Sequence, residues 1–530
     1  MLQTGKRLSG DTFVILICFS LALANCFSGY DTASAAAVVS DERFVNEWNF
    51  TTAELGAFGV LINVGNCLAY LGPLIWLNKR FGRKITMTLG NFTLLVGVAL
   101  VAGAQTVGML LFGRILCGMG VSLCQGCFAG WAAELASPRT RGAAVCIVQV
   151  SYNFGVFIAF WVSLGTTKIP GTNAWRTVIA LQTIFGVALF FSTLWAPESP
   201  RMLFSLAKDP ANNDDAQVVK AHKNLAYIRR LDETDPVLMQ EFSELQAAAI
   251  LLRRDKAEYS LKAVVSTRSF WRRCAIGAGS CVFAQLTGVA GLMLYGVIVF
   301  ESLDLGGSSL SLITNGVSGS IQLVACFCAI FLVDRIGRRR LMIVGLCVAC
   351  VGYLFLGALF ERWPDASNKG AGGWLVVCIF AIQCSYAGAL GPVAYLLATE
   401  VWPQELREFG ISISLLSLFV TVIVINQLWP VLTEVITFRL YWIFLAINVI
   451  TLALTYLFWP ETKGRSLDEM DSLFGELDIA QKAREEVGVS GHVGSGSDVP
   501  GGRIVDAEPL VADVGALKAD ADVEKAIGKK

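Results

Sequence analysis

Long apolar runs separated by short polar loops recur through the chain, and one polar stretch, residues 197–273, interrupts them. A helix needs about 20 apolar residues to cross the hydrocarbon core of a bilayer. Runs of that length fall at 13–39, 55–77, 85–103, 107–133, 143–164 and 177–195 before the polar stretch, and at 274–300, 309–333, 341–360, 374–401, 411–432 and 440–459 after it. These are numbered spans 1 to 12. Strands of a membrane barrel would alternate apolar and polar residues instead, so the pattern predicts an all-α membrane protein with twelve transmembrane helices. The first run is much longer than a signal-peptide core and has no convincing cleavage site, so it is kept as span 1. In the polar stretch, Leu225, Ile228 and Leu231 stand at helical spacing, which predicts short amphipathic helices against the membrane-embedded part. The expected layout is a short terminus (1–12), a six-helix bundle (13–195), a connector with short helices (196–273), a second six-helix bundle (274–459) and a largely disordered polar tail (460–530).

Charge orients this layout, because short cytoplasmic loops carry the excess of Lys and Arg. Lys79, Arg80, Arg83 and Lys84 follow span 2, Arg139 and Arg141 follow span 4, Arg335 and Arg338 to Arg340 follow span 8, and Lys463 and Arg465 follow span 12. Both termini and the connector are therefore expected in the cytoplasm, with the plasma membrane as the expected bilayer. The opposite loops hold acids: Asp41, Glu42 and Glu47 after span 1, Glu301 and Asp304 after span 7. One of them contains Asn49-Phe50-Thr51, a glycosylation acceptor pattern on the outer side. Asn91-Phe92-Thr93 fits the same pattern but lies within span 3.

Composition excludes several functions. Hydrophobic residues make up 55% of the 530 and charged ones 16%, while 42 basic residues balance 42 acidic ones. No basic stretch lies outside the loops, so nucleic acid is not an expected partner. The 15 cysteines fall inside apolar runs, as with Cys117, Cys124, Cys127, Cys326 and Cys328, and burial is the expectation rather than a disulfide framework. Two histidines and no ligand spacing argue against a metal, no cofactor is implied, and no nucleophile and base constellation suggests an enzyme.

The two halves echo each other, the sequence trace of a transporter built from repeats. Arg80-Phe-Gly-Arg-Lys after span 2 returns as Arg335-Ile-Gly-Arg-Arg after span 8. Glu134 stands seven residues before Arg141, and Glu400 seven before Arg407. Pro197-Glu198 after span 6 returns as Pro460-Glu461 after span 12. All of these lie at cytoplasmic helix ends, where carboxylates and guanidinia on neighbouring helices can pair and part. Glu134, Arg83, Arg141 and Glu198 in one half, with Glu400, Arg338, Arg407 and Glu461 in the other, are the expected cytoplasmic gate.

A family resemblance follows from Gly113-Arg114 opening span 4, Trp175-Arg176 before span 6, Pro197-Glu-Ser-Pro-Arg201, Asp334-Arg-Ile-Gly-Arg-Arg339 and Pro460-Glu-Thr-Lys-Gly-Arg-Ser-Leu-Asp-Glu469. Across nearly the whole twelve-helix region the chain resembles the sugar porter family of the major facilitator superfamily. The resemblance implies two six-helix bundles around a central site that opens alternately to each side. Lys79 departs from it, standing where the family often has Asp.

Asp31, in Gly29-Tyr30-Asp31, is a carboxylate inside a membrane helix, where a charge is costly and functional by default. Gaining a proton removes that cost, so such an acid can gate a conformational change. Arg114 is its expected partner, and proton symporters of the family resemble this pair, whereas its uniporters typically have an amide at the Asp31 position. For substrate, Gln149 stands six residues before Gly155, as does the sugar-binding Gln of the family's helix 5. Gln285, Thr287 and Tyr295 in span 7, Gln322 in span 8 and Tyr395 in span 10 complete the expected substrate set, with Phe27, Tyr152 and Tyr395 as aromatic faces for a ring. Yet Ala284, Ala290 and Ala387, together with Leu294 and Leu418-Phe419, stand where the resemblance implies polar groups or aromatic ones. The expectation is a proton-coupled transporter whose solute is a sugar or a related ring with fewer hydroxyls or more apolar surface, such as a polyol derivative, a cyclic hydroxy acid or a secondary metabolite. A proton-driven exporter and a non-transporting nutrient sensor on the same scaffold are the alternatives.

Overall fold

The computed structural model describes residues 10–135, 141–255, 267–294, 308–363, 369–402, 406–463 and 474. Among them, ten helices are long and apolar enough to cross a membrane, and an eleventh is formed if Glu54–Tyr70 and Pro73–Phe81, bent by 48°, are one span. The remaining one, span 7, is described as Arg268–Leu286 and Val289–Leu294 before its outer end leaves the described residues. The helices run past the apolar runs at several ends: span 8 is Ser308–Ile336, span 9 Arg338–Arg362 and span 11 Arg407–Ile436. The surplus turns carry the charged gate residues into the helices themselves. Apolar side chains cover the outer surface, Phe92, Phe331 and Val435 being 66% or more exposed, as lipid contact requires.

Contacts between spans repeat from one half to the other. Span 1 packs on span 5 and span 7 on span 11. Span 2 packs on span 4 and span 8 on span 10, and span 3 on span 6 and span 9 on span 12. Across the halves, span 2 meets span 11 and span 5 meets span 8, which are the same contact under the repeat. Small residues allow the close approaches, since lipid offers no hydrophobic drive to hold helices together. A β-carbon on Gly29 would lie 1.9 Å from the Tyr152 carbonyl oxygen, and one on Gly155 would lie 2.0 Å from that of Cys26. Spans 1 and 5 thus touch backbone to backbone, which fixes the depth of Asp31 and Gln149 in the bundle.

Several spans are interrupted. Span 2 opens with a capping box, in which the Glu54 carboxylate accepts from Thr51 N at 2.9 Å while Thr51 Oγ1 accepts from Glu54 N, and it breaks before Pro73. Span 7 breaks at Thr287-Gly288. Span 10 widens into a π-helical turn, Tyr386–Leu390, ahead of Gly391–Glu400. Pro392 has no N–H to give the preceding turn, and the wider turn absorbs the missing bond.

The connector folds as short helices, Pro200–Leu206, Ala216–Arg229 and Pro236–Asp255. Leu203, Phe204 and Ala221 pack against Phe242, and Arg229 pairs with Glu241 at 2.6 Å. Arg229 also donates to the Leu135 carbonyl at 3.1 Å, and Arg230 lies 3.8 Å over the Phe13 ring, so the connector is pinned to spans 4 and 1. Buried cysteines match expectation at Cys117, Cys124, Cys127 and Cys326, but Cys328 is exposed on the surface of span 8. An apolar run does not say which of its faces turns outward.

Candidate functional site

Between the halves lies a cavity of about 930 Å³, open solvent included. Both halves line it. Asp31 and Arg114 stand on its wall, each 2% exposed or less. Arg114 Nη1 donates to Asp31 Oδ1 at 2.7 Å and Oδ2 at 2.9 Å, Nε donates to the Phe58 carbonyl at 3.0 Å, and the guanidinium lies 4.5 Å over the Phe58 ring. A buried ion pair holds only while each charge keeps its partner, because the desolvation cost of an unpaired charge is several kcal/mol.

The expected substrate residues divide. Gln149, Gln285 and Tyr395 line the cavity, as does Tyr152. A β-carbon on Gly391 would lie 3.1 Å from Gln149 Cδ, so this glutamine of span 5 rests against span 10 of the other half. Gln285 Nε2 donates to the Tyr386 hydroxyl at 2.8 Å. Thr287 and Gln322 are not among the lining residues. The Thr287 hydroxyl donates to the Ala284 carbonyl at 2.6 Å, closing the helix end at the break in span 7. Gln322 donates to Ser318 at 3.1 Å, and Ser318 bonds Gln383, a polar bridge between spans 8 and 10. Tyr295 lies outside the described residues. Phe27 is fully buried in the core of the first half, not a ring platform. Of the alanines expected to mark missing amides, Ala290 alone faces the cavity, whereas Ala284 and Ala387 are fully buried away from it.

Other lining residues escaped the sequence reading: Asn25, Asn63, Asn66, Gln125, Tyr386 and Asn426. A signal was available. Asn25, Ser28, Thr32 and Ala35 fall at three- and four-residue spacing in span 1, and Gly59, Ile62, Asn63 and Asn66 do so in span 2, each set one face of a helix.

At the helix ends beside the start of the connector, Arg83 is bidentate to Glu134, with Nε to Oε2 at 3.0 Å and Nη2 to Oε1 at 2.6 Å. The repeat holds, since Arg338 Nη2 reaches Glu400 at 3.0 Å. Arg83 also pairs with Glu408 at 3.1 Å, a bridge from span 3 to span 11 and so from one half to the other. The stacked rings of Tyr70 and Phe419, 5.9 Å apart at 15°, make a second crossing between spans 2 and 11. Glu408 was not among the expected gate residues, although it adjoins Arg407, which lines a smaller pocket with Arg83 and Glu408.

Glu198 and Glu461 correct the expectation in kind. Among the described residues they accept from backbone: Glu198 from Lys84 N at 3.0 Å and Ser199 N at 3.2 Å, Glu461 from Arg338 N at 2.8 Å and Lys463 N at 3.1 Å. An anion at a helix N-terminus satisfies orphan donors and opposes the macrodipole. Gly82 and Gly337, at φ +85° and +97°, bring the carboxylates in, and a β-carbon would lie 2.9 Å from Glu198 Oε2 and 2.6 Å from Glu461 Oε2. Burial raises the Glu198 carboxyl above the ordinary glutamate range, against the pull of its backbone donors. The side chain of Arg141 lies outside the description. Asn49 is exposed at the left-handed end of helix Glu42–Trp48, whereas Asn91 is buried and donates to the Gly186 carbonyl at 2.9 Å, leaving no room for a glycan.

Comparison with known proteins gives the following. A family model described as sugar (and other) transporter matches residues 17–474. A quinate permease of Neurospora terricola is 25% identical over 87% of this chain and 88% of its own length. The sugar transport protein MST2 of Oryza sativa subsp. japonica is 28% identical over 86% and 90%. Among solved structures, the proton:xylose symporter XylE bound to 6-bromo-6-deoxy-D-glucose superposes with a TM-score of 0.73, covering 88% of this chain and 100% of that one at 22% identity. At that identity the likeness establishes the fold: twelve helices in two bundles of six.

Proposed function

The chain belongs to the sugar porter family of the major facilitator superfamily, a multi-pass membrane transporter, and from that premise we propose that Asp31 and Arg114 couple its transport to protons. The buried ion pair on the cavity wall carries this reading. With Asp31 ionised, the pair ties span 1 to span 4. A proton on Asp31 removes the charge that Arg114 balances, and Arg114 keeps its bond to the Phe58 carbonyl and its seat on the Phe58 ring. Span 1 then moves relative to span 4, and the loaded carrier passes on to the opposite opening. For the cytoplasmic side to open, Arg83 must leave Glu408, the charged link across the halves.

The solute is a sugar or a related hydroxylated ring. Gln149, Gln285 and Tyr395 offer it donors and acceptors, and Tyr152 and Tyr395 offer aromatic faces. Val289, Ala290 and Met293 along span 7 contribute no hydrogen bonds, and a hydroxyl left unpaired against them costs about 1–3 kcal/mol. Such a surface favours a ring with fewer hydroxyls than a hexose. The quinate permease among the relatives points to the cyclic hydroxy acids within that class. The protein is assigned to the plasma membrane with cytoplasmic termini and a glycan at Asn49.

The test is uptake of labelled D-glucose, myo-inositol and quinate by proteoliposomes holding the purified protein, with and without an imposed pH gradient. The reading requires accumulation above the outside concentration when the interior is alkaline and its loss with a protonophore. Uptake that only equilibrates, whatever the gradient, would leave a uniporter.

A further inference from the structure

The cavity has two unlike walls. On the side of spans 7 and 11, Val289, Met293, Leu294, Leu418 and Val422 form an apolar patch beside Gln285 and Asn426, and on the side of spans 1, 2 and 4 stand Asn25, Asn63, Asn66 and Gln125. We propose that Asn25, Asn63 and Gln125 of the first half read solute hydroxyls alongside Gln285 and Tyr395, while a bare part of the ring lies on the apolar patch of spans 7 and 11. This goes beyond the residues assigned to substrate above and rests on the reading that the solute binds in this cavity.

Three observations carry the assignment. Asn25 is 1% exposed, borders the cavity, and its Nδ2 has no partner. A buried amide left unpaired is costly, and a hydroxyl entering the cavity can accept from it. Second, the amides of span 2 form a chain with a direction: Ser122 Oγ donates to Asn66 Oδ1 at 2.9 Å, and Asn66 Nδ2 donates to Asn63 Oδ1 at 3.3 Å. Its last member, Asn63, keeps its own Nδ2 as the donor at the cavity end, and the bonds behind it hold the amide in one orientation. Third, Gln125 stands eleven residues after Arg114 on span 4, three helical turns along the same face, and both border the cavity. The polar wall is therefore continuous with the ion pair on the same helix.

The arrangement selects a ring hydroxylated along one edge and bare along the other. A pyranose, with hydroxyls around its whole perimeter, leaves some facing Val289 and Met293. A cyclohexane ring that keeps methylenes, as quinate does, puts fewer hydroxyls against that patch, with its carboxylate turned toward the amides. A solute seated on spans 1 and 4 also rests against the elements that the Asp31 proton releases.

The test is equilibrium binding of radiolabelled quinate and D-glucose to the full-length protein in lipid nanodiscs, for the unaltered chain, Asn25→Leu, Gln125→Leu and the milder Asn25→Ser. The expected result is tighter binding of quinate than of glucose, weakened about tenfold by either leucine variant, with Asn25→Ser between. Met293→Ser, on the opposite wall, should narrow the preference by improving glucose. Folding of each variant is checked by its thermal transition in the same nanodiscs, and Asn25→Ser reports if Asn25→Leu misfolds. Unchanged quinate affinity in folded Asn25 and Gln125 variants overturns the proposal, as does tighter binding of glucose that these variants leave untouched. In either case proton-driven uptake in proteoliposomes would still stand. Binding of neither probe overturns the solute class proposed, and absence of proton-driven uptake of any solute in the panel overturns the transport reading beneath it.

Discussion

The two halves of this transporter repeat each other at the helix ends beside the connector and diverge in the cavity between them. Arg83 binds Glu134 as Arg338 binds Glu400, and Glu198 caps the start of span 3 as Glu461 caps that of span 9. At the depth of the cavity, the first half carries Asp31, Arg114 and a row of amides, whereas the second presents Val289, Ala290 and Met293 between fewer polar groups, Gln285, Tyr386, Tyr395 and Asn426. Two bundles that rock about a shared centre need matching latches on the side that closes. Nothing requires the surfaces they enclose to match. The repeat survives where the motion is symmetric and is lost in the cavity, where the ion pair lies on the first half alone.

The comparison breaks most readily at the ion pair. Arg114→Ala leaves Asp31 buried without its cation, and loss of one partner of a buried pair costs about 3–5 kcal/mol. The thermal transition of the purified protein should fall sharply, and the same change in an Asp31→Asn background should cost much less, because no charge is then stranded. Equal costs in both backgrounds would mean that Arg114 acts through packing alone. At the latch the expected effect is smaller. Glu408→Gln removes the charge that holds Arg83 across the halves, a charge-assisted bond of about 1.5–3 kcal/mol before solvent screening. It should move the resting balance toward the form open to the cytoplasm, read by distance measurements between spin labels on spans 2 and 11. Glu461→Gln, which changes a cap within one half, should leave that distance distribution where it was.

The smallest effects belong to the cavity. Gln149→Ala and Gln285→Ala should each weaken solute binding by about 0.5–1.5 kcal/mol, two- to tenfold in affinity. Of the two, Gln285→Ala also frees the Tyr386 hydroxyl, so part of its cost should vanish in a Tyr386→Phe background. Ala290→Asn puts an amide on the apolar wall and should raise glucose affinity by a similar factor. Ala284→Gln should instead destabilise the fold, since Ala284 is fully buried away from the cavity.

How far the sequence reached follows the same division. Spans, connector and latch were legible because each rests on a strong local signal: apolar runs near the thickness of a bilayer, and charges at fixed offsets that recur in both halves. Asp31 stood out because a lone carboxylate in an apolar run has few explanations. The cavity lining was harder, because facing inward is a property of helix rotation and of breaks in the helix. Gln322 and Thr287 have suitable chemistry in suitable spans, yet one braces span 10 and the other closes a helix end. Ala284 and Ala387 turned away for the same reason, so only Ala290 marks a bare patch on the wall. Asn25 and Asn63 lay on visible helical faces, but the expected substrate set falls in spans 5, 7, 8 and 10, and in span 1 only Asp31 and Phe27 are singled out. Glu408 was hidden by its neighbour Arg407, for sequence offers no means of knowing which of two adjacent charges turns toward the other half.

The central claim is that the proton rides on Asp31 and moves with the solute. The most direct measurement is solute-driven proton movement, followed by a pH-sensitive dye sealed inside proteoliposomes, for the unaltered protein and Asp31→Asn with whichever probe the uptake panel shows to be transported. Adding solute outside should acidify the interior with the unaltered protein. Asp31→Asn, whose amide mimics the protonated acid and cannot cycle, should exchange labelled for unlabelled solute and leave the interior pH unchanged. Solute-driven acidification by the Asp31→Asn protein would contradict that claim.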